Sequence, residues 1–191
     1  MSTETRTLDA ELFGQYTNFE YSERWLGYAI VAMRVVMGWV LFQGGVTKLI
    51  TYLDANPENN WTAAGFLLNA IPEGNPLMGM WGMFANMPLI DVLNMWGLTL
   101  TGLALIVGAF VRWSAFWGAV MMLFYWLASL QGGLLAGLPL AHGWVVDDHL
   151  IYAVLLFGLG AFGAGRILGV DAYLENMEFV QNNRWLRLLL G

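Results

Sequence analysis

The sequence predicts an all-α fold, a polytopic membrane four-helix bundle with interfacial amphipathic segments. Three observations carry this. The chain is 58% hydrophobic and 12% charged, whereas soluble domains carry about 25% charged residues. Its apolar residues fall into four runs, near 25–50, 89–111, 113–131 and 149–168, close to the ~20 residues that cross ~30 Å of hydrocarbon as a helix. Ten tryptophans among 15% aromatic residues can populate the belts at both membrane surfaces. A single integral membrane domain is therefore expected over 1–191.

Taken in order, residues 1–24 are polar, with Leu8, Leu12, Phe13, Tyr16 and Phe19 at helical spacing opposite Asp9, Glu11 and Glu20. This predicts an amphipathic interfacial segment, the alternative being a solvated tail. The N-terminus lacks the basic region of a cleavable leader, so the first apolar run is expected to be retained as a span. Asn56-Pro57 and Asn59-Asn60 mark turns after it. The apolar pieces 61–71 and 77–87, separated by Pro72-Glu73-Gly74-Asn75-Pro76, are too short to cross and are expected to lie at the interface. Arg112 and Ser114 mark a tight turn between the second and third spans. A Gly- and Pro-containing loop then runs to Asp147-Asp148. In the fourth span Gly158, Gly160, Gly163 and Gly165 permit close helix approach. From Asp171 the tail is amphipathic, with Arg184, Trp185 and Arg187 as anchors.

Cations near the span ends orient the chain. With the N-terminus inside, Arg6, Arg24, Arg112, Arg166, Arg184 and Arg187 face the cytoplasm and Lys48 alone lies outside. The prediction is a multi-pass protein of the cell membrane with both termini cytoplasmic. Seven arginines against one lysine, with a net charge of −6, suit a salt-adapted (halophilic or archaeal) or high-GC source.

Composition also excludes chemistry. There is no cysteine, which removes iron–sulfur ligation, zinc–thiolate sites, thiol nucleophiles and disulfides from this chain. His142 and His149 both fall at the outer loop, so a haem held between opposing helices is not expected, and no metal site is assigned. No basic patch exists to neutralise nucleic-acid phosphates.

Polar groups inside apolar runs are costly, about 2.5–3.5 kcal/mol for a central charge on insertion scales, and so mark candidate sites. Arg34 lies within the first span, and Gln43 and Lys48 near its outer end. The same outer mouth is expected to gather Asp91, Asn94, Asp147, Asp148 and His149. Lys48 beside these acids can steady an anion or a quinone carbonyl, although a lysine at a span end also simply snorkels. Arg34 either meets a ligand or ties helices together through backbone carbonyls. Trp39, Tyr125 and Trp126 can line a flat apolar pocket or serve as packing.

Three stretches resemble one family. Arg34-Val-Val-Met-Gly-Trp-Val-Leu-Phe-Gln-Gly-Gly-Val-Thr-Lys-Leu49 is similar to the first-helix signature of DoxX/DoxD proteins. The stretch 96–112, with spaced glycines closing on Arg112, resembles their second helix. Asp148-His149-Leu150-Ile151-Tyr152, followed by Gly163-Ala-Gly-Arg-Ile-Leu-Gly-Val-Asp171, resembles their fourth. The glutamate that many relatives carry early in helix 2 has no counterpart between Asn94 and Thr99. The resemblance implies a four-helix bundle and, in the DoxD branch, the membrane subunit of a thiosulfate:quinone oxidoreductase.

On that expectation Lys48, His149 and Asp148 are catalytic, and Arg34, Gln43, Trp39, Tyr125 and Trp126 contact a quinone. Partners would be membrane lipids, a second oxidoreductase subunit and a further copy of the chain in a homo-oligomer. The rival readings are a non-catalytic membrane scaffold and a small-solute or anion conduit.

Overall fold

The computed structural model describes residues 5–54, 56–131 and 146–191. Of the described residues 69% are helical, but 9% are strand, so the all-α expectation is corrected at the N-terminus. There β1 (Thr5–Leu12) and β2 (Gln15–Ser22) pair antiparallel, with Leu8 opposite Phe19 and Leu12 opposite Gln15. Phe13 and Gly14, both at positive φ (52° and 74°), make the two-residue turn whose twist suits a hairpin. Leu8 and Leu12 share a face at spacing four in a helix and in a strand alike, so periodicity alone misassigns them. The strand-favouring Thr5, Thr7, Tyr16, Thr17, Phe19 and Tyr21 decide for sheet.

α1 (Glu23–Leu49) follows directly, 27 residues long, or about 40 Å. It buries Ile30, Arg34, Met37, Gly38, Leu41 and Gly45, a single stripe at three- and four-residue spacing. Short α2 (Ala63–Asn69) and α3 (Met78–Ala85) come next. α4 (Pro88–Val107) opens with proline in its first turn, where no N–H is needed, and closes on Gly108 at φ 72°. α5 (Val111–Ser129) and α6 (Asp148–Ala161) are the other large helices among the described residues. Short turns α7 (Asp171–Leu174), α8 (Glu178–Gln181) and α9 (Arg184–Leu189) form the tail.

α1 packs along α4, α5 along α6, and α4 meets α5 to join the pairs. The α1–α4 contact is close because Gly38 faces Gly102, where an added Cβ on Gly38 would sit 2.9 Å from the Gly102 carbonyl. Ile30, Met37, Leu41, Leu98, Leu105, Val111, Met122, Leu156 and Leu159 fill the space between the four helices. Ala63, Leu67, Trp81 and Ala128 form a second cluster where α2 and α3 meet the end of α5.

Among the described residues two helices are long and apolar enough to cross a bilayer, Glu23–Tyr52 and Pro88–Val107. The expected fourth span, 149–168, is helical only to Ala161, 14 residues in all, or about 21 Å. Gly163 at φ 63° turns the chain there. The Ala164–Arg166 turn and the carbonyls beyond it are then held by Arg34.

Candidate functional site

Arg34 and Lys48 sit on one helix, but at ~1.5 Å per residue they stand about 21 Å apart along it. Each organises a different end of the molecule, so the polar pocket expected to include both does not form.

At the Arg34 end the guanidinium is 2% exposed. Nη1 donates to the carbonyls of Ala164 (2.5 Å) and Ile167 (3.0 Å), and Nη2 to that of Leu168 (3.1 Å). Asp171, fully buried beside it, accepts the backbone N–H groups of Phe110 (2.6 Å), Val111 (2.9 Å) and Gly191 (3.0 Å). Both terminal nitrogens of Arg34 thus donate to carbonyls of the 164–168 turn, while its buried Nε has no hydrogen-bond partner among the described residues; the oxygens of Asp171 accept the amides that start α5 and that of Gly191. Of the two roles considered for Arg34, this geometry matches the tie between helices.

The Lys48 end is different. The Lys48 Nζ lies 4.9 Å from the centroid of the Trp61 ring and 5.9 Å from that of Tyr125, within cation–π range. Trp61 is held by its own backbone. Its N–H donates to Thr51 Oγ1 (2.8 Å) and its carbonyl accepts from Tyr52 Oη (2.7 Å). Tyr125 reaches over from α5, where Asn94 Nδ2 of α4 donates to its hydroxyl at 2.5 Å. Phe66 of α2 meets the Tyr125 ring edge-on at 6.3 Å. His149 lies against the same ring, with centroids 5.4 Å apart and planes tilted by 38°.

His149 is oriented in turn. Its Nδ1 is 3.0 Å from Asp147 Oδ2 and 3.3 Å from Asp148 Oδ1, which leaves Nε2 as the free edge of the ring. The Asp147 side chain is fully buried and Asp148 is exposed. Asp147 caps α6 by accepting from the Leu150 N–H (2.9 Å), and Ser129 Oγ donates to it at 3.2 Å. Burial pushes the Asp147 carboxyl up, but the hydrogen bonds from His149, Leu150 and Ser129 outweigh it and hold the group below its ordinary 3.8. Asp147, Asp148 and His149 present ligand atoms within 4.8 Å of one another. The Asp147 oxygens are already engaged as a helix cap, so the cluster reads as an oriented histidine.

Of the residues expected to act together, Lys48, Tyr125, His149 and Asp148 converge. Gln43 is exposed. Trp39, 57% exposed, falls on the side of α1 opposite Lys48 at roughly 100° per residue. Trp126 is half-buried and its carbonyl accepts from Ser129 Oγ (2.8 Å). His142 lies outside the described residues. Trp61, expected only in an interfacial belt, is the residue sequence reasoning missed. Its sole signal is a tryptophan in the first turn region after a cation, and only the return of the chain places it over Lys48.

Comparison with protein-family models, curated proteins and solved structures returns no match.

Proposed function

We propose that the chain is a four-pass membrane protein of DoxX/DoxD type, with the Lys48 end outside and both termini cytoplasmic. On this reading the Lys48–Tyr125–His149 cluster supports quinone-linked oxidation of thiosulfate. The observation that carries it is Lys48 itself. Its half-buried ammonium rests on two aromatic faces and, among the described residues, has no carboxylate within ion-pair distance. A desolvated cation in that setting favours an anion or a polarised carbonyl oxygen. Arg112 and Arg166 lie at the end opposite Lys48, which supports assigning that end to the cytoplasm.

The chemistry balances in two halves. Joining two thiosulfate ions through a sulfur–sulfur bond releases two electrons, and a quinone takes up two electrons and two protons. Lys48 holds the anionic or carbonyl oxygen, and His149, fixed by Asp147 through Nδ1, exchanges protons through Nε2. The chain has no thiol to relay electrons, so a second subunit is assigned that step.

The test is thiosulfate-driven quinone reduction by the purified protein, alone and with its co-purifying partner. Turnover that falls at least about tenfold in Lys48→Met, with the fold intact, supports the reading. Absence of both turnover and retained quinone in the wild-type complex would instead make the chain a membrane scaffold.

A further inference from the structure

α1, α4, α5 and α6 each turn one face to the core, and at the Lys48 end each of these faces finishes in a polar residue. On α1 the buried stripe Met37, Leu41 and Gly45 continues to Lys48. On α4 the stripe Leu105, Thr101 and Leu98 continues to Asn94. On α5 Gly118 and Met122 lead to Tyr125, and on α6 Leu156 and Ala153 lead back to His149. The register agrees. Gly45 abuts Met95 and Thr99, so Lys48, one turn further, stands level with Asn94 across the antiparallel pair. One turn inward of the four lie Gly45, Leu98, Met122 and Ala153, all buried. Lys48, Asn94, Tyr125 and His149 thus form one half-buried polar layer that closes the outer end of an apolar core.

Two groups of this layer lack hydrogen-bond partners among the described residues, and they are of opposite kind. Asn94 donates through Nδ2 to the Tyr125 hydroxyl at 2.5 Å, but its buried Oδ1 accepts nothing. The Lys48 ammonium has three N–H donors and no lone pair, and it rests on the rings of Trp61 and Tyr125. A carbonyl oxygen placed between them satisfies Lys48 but has no proton to give Asn94. A thiosulfate oxygen fails in the same way. A hydroxyl answers both, since its oxygen accepts from Lys48 while its O–H donates to Asn94 Oδ1. Phe66 and His149 both lie against the Tyr125 ring, and such aromatic surroundings suit a hydroxyl carried on a flat ring.

We propose that this layer is a quinol site and that Asn94 is the residue that recognises the reduced form. The proposal deepens the quinone reading above and rests on it. Uptake of two electrons and two protons turns each quinone carbonyl into a hydroxyl, so the bond to Asn94 Oδ1 exists only after reduction. The site therefore holds its product more tightly than its substrate, and the bound couple is easier to reduce than the free one.

The full-length protein, purified in detergent, is titrated under nitrogen with duroquinone and with durohydroquinone, and binding is followed by calorimetry. Wild-type protein is expected to bind the hydroquinone about tenfold more tightly, the effect of one hydrogen bond to a buried acceptor. The dimethyl ether of durohydroquinone keeps both oxygens but neither proton and should lose that advantage, a comparison that needs no variant. Asn94→Leu should abolish the preference and leave duroquinone affinity unchanged, whereas Lys48→Met should weaken both forms. Equal affinity of wild-type protein for the two forms overturns the proposal and leaves Asn94 Oδ1 to a water molecule. Tighter binding of duroquinone also overturns it, since the amide then presents its NH2 group to the ligand. A preference that survives Asn94→Leu removes the role given to Asn94. Binding of neither form by folded protein overturns the quinone reading itself. A hydroquinone preference without thiosulfate-driven turnover keeps the quinol site and discards only the sulfur chemistry.

Discussion

Asn75 and Asp171 hold α5 from its two ends. The buried Asn75 side chain donates through Nδ2 to the carbonyls of Leu127 (3.0 Å), Ala128 (3.1 Å) and Leu130 (2.8 Å), where α5 finishes. Its Oδ1 accepts from the Leu77 N–H and from Trp81 Nε1, both at 2.9 Å. Asp171 takes the amides of Phe110 and Val111, where α5 begins. Helix ends leave such groups without intrahelical partners, and here residues from distant segments supply them. The cap at one end also secures the scaffold that presents Tyr125, and the cap at the other ties the tail to the bundle.

Replacing either cap should destabilise the fold. Asp171→Ala orphans three backbone N–H groups at about 1–3 kcal/mol for each buried unsatisfied group, so a loss of at least about 3 kcal/mol is expected in denaturant unfolding of the purified protein. Asp171→Asn, which keeps one accepting oxygen, should lose less. An unchanged unfolding midpoint in Asp171→Ala would remove the capping role.

Arg34 should behave as a structural residue. Arg34→Lys keeps the charge but not the planar fork that reaches three carbonyls, and a loss of about 1–2 kcal/mol is expected for the bonds left unmade. Thiosulfate-driven turnover per folded molecule should be unchanged, because the guanidinium lies about 21 Å from Lys48 along α1. Lost turnover at full stability would return Arg34 to the reacting site.

The two halves of the Lys48 contact can be separated. A double-mutant cycle of Lys48→Met and Trp61→Leu should give a coupling of about 0.5–2 kcal/mol, the range for a partly desolvated cation–π pair. Tyr125→Phe should preserve the ring contacts with Lys48 and His149 while leaving Asn94 Nδ2 without its acceptor, a loss of about 1 kcal/mol. A coupling of zero in the cycle would mean that Lys48 does not rest on Trp61.

Acid should weaken the Lys48 end through Asp147. Its carboxyl is held below the ordinary 3.8 in the folded chain. The stability it contributes is therefore complete above that value and is lost as pH falls through the lower folded value. Protonation removes the charge that strengthens the hydrogen bonds from His149 and Leu150 and turns one Asp147 oxygen into a donor, so near-ultraviolet dichroism of the Tyr125 environment should change below pH 3.8. Asp147→Asn should remove this acid step at every pH tested. Arg166–Glu175, at the other end and partly exposed, should contribute little to the same titration. An acid transition identical in wild type and Asp147→Asn would assign the step elsewhere.

The long helices were legible because their signal is local. Apolar runs locate α1, α4 and α5 to within a few residues of the expected spans, and short α2 and α3 fall where pieces too short to cross were expected. The hairpin was not legible from periodicity, since Leu8 and Leu12 share a face in either structure. The end of α6 was foreshadowed only as a glycine run, whose poor helix propensity allows a stop without requiring one.

By itself the sequence determined that long apolar helices form and that Lys48, Tyr125 and His149 are polar exceptions among them. Each of those facts depends on neighbouring residues, where hydrophobic transfer and helix period act. Tertiary structure alone decided which exceptions meet. Asn94 and Tyr125 are 31 residues apart and Arg34 and Ala164 are 130 apart. Hydrogen bonds and ring contacts act over a few ångströms and carry no trace along the chain, so only the packing of α1 on α4 and of α5 on α6 sends Arg34 to backbone carbonyls and Lys48 to aromatic rings.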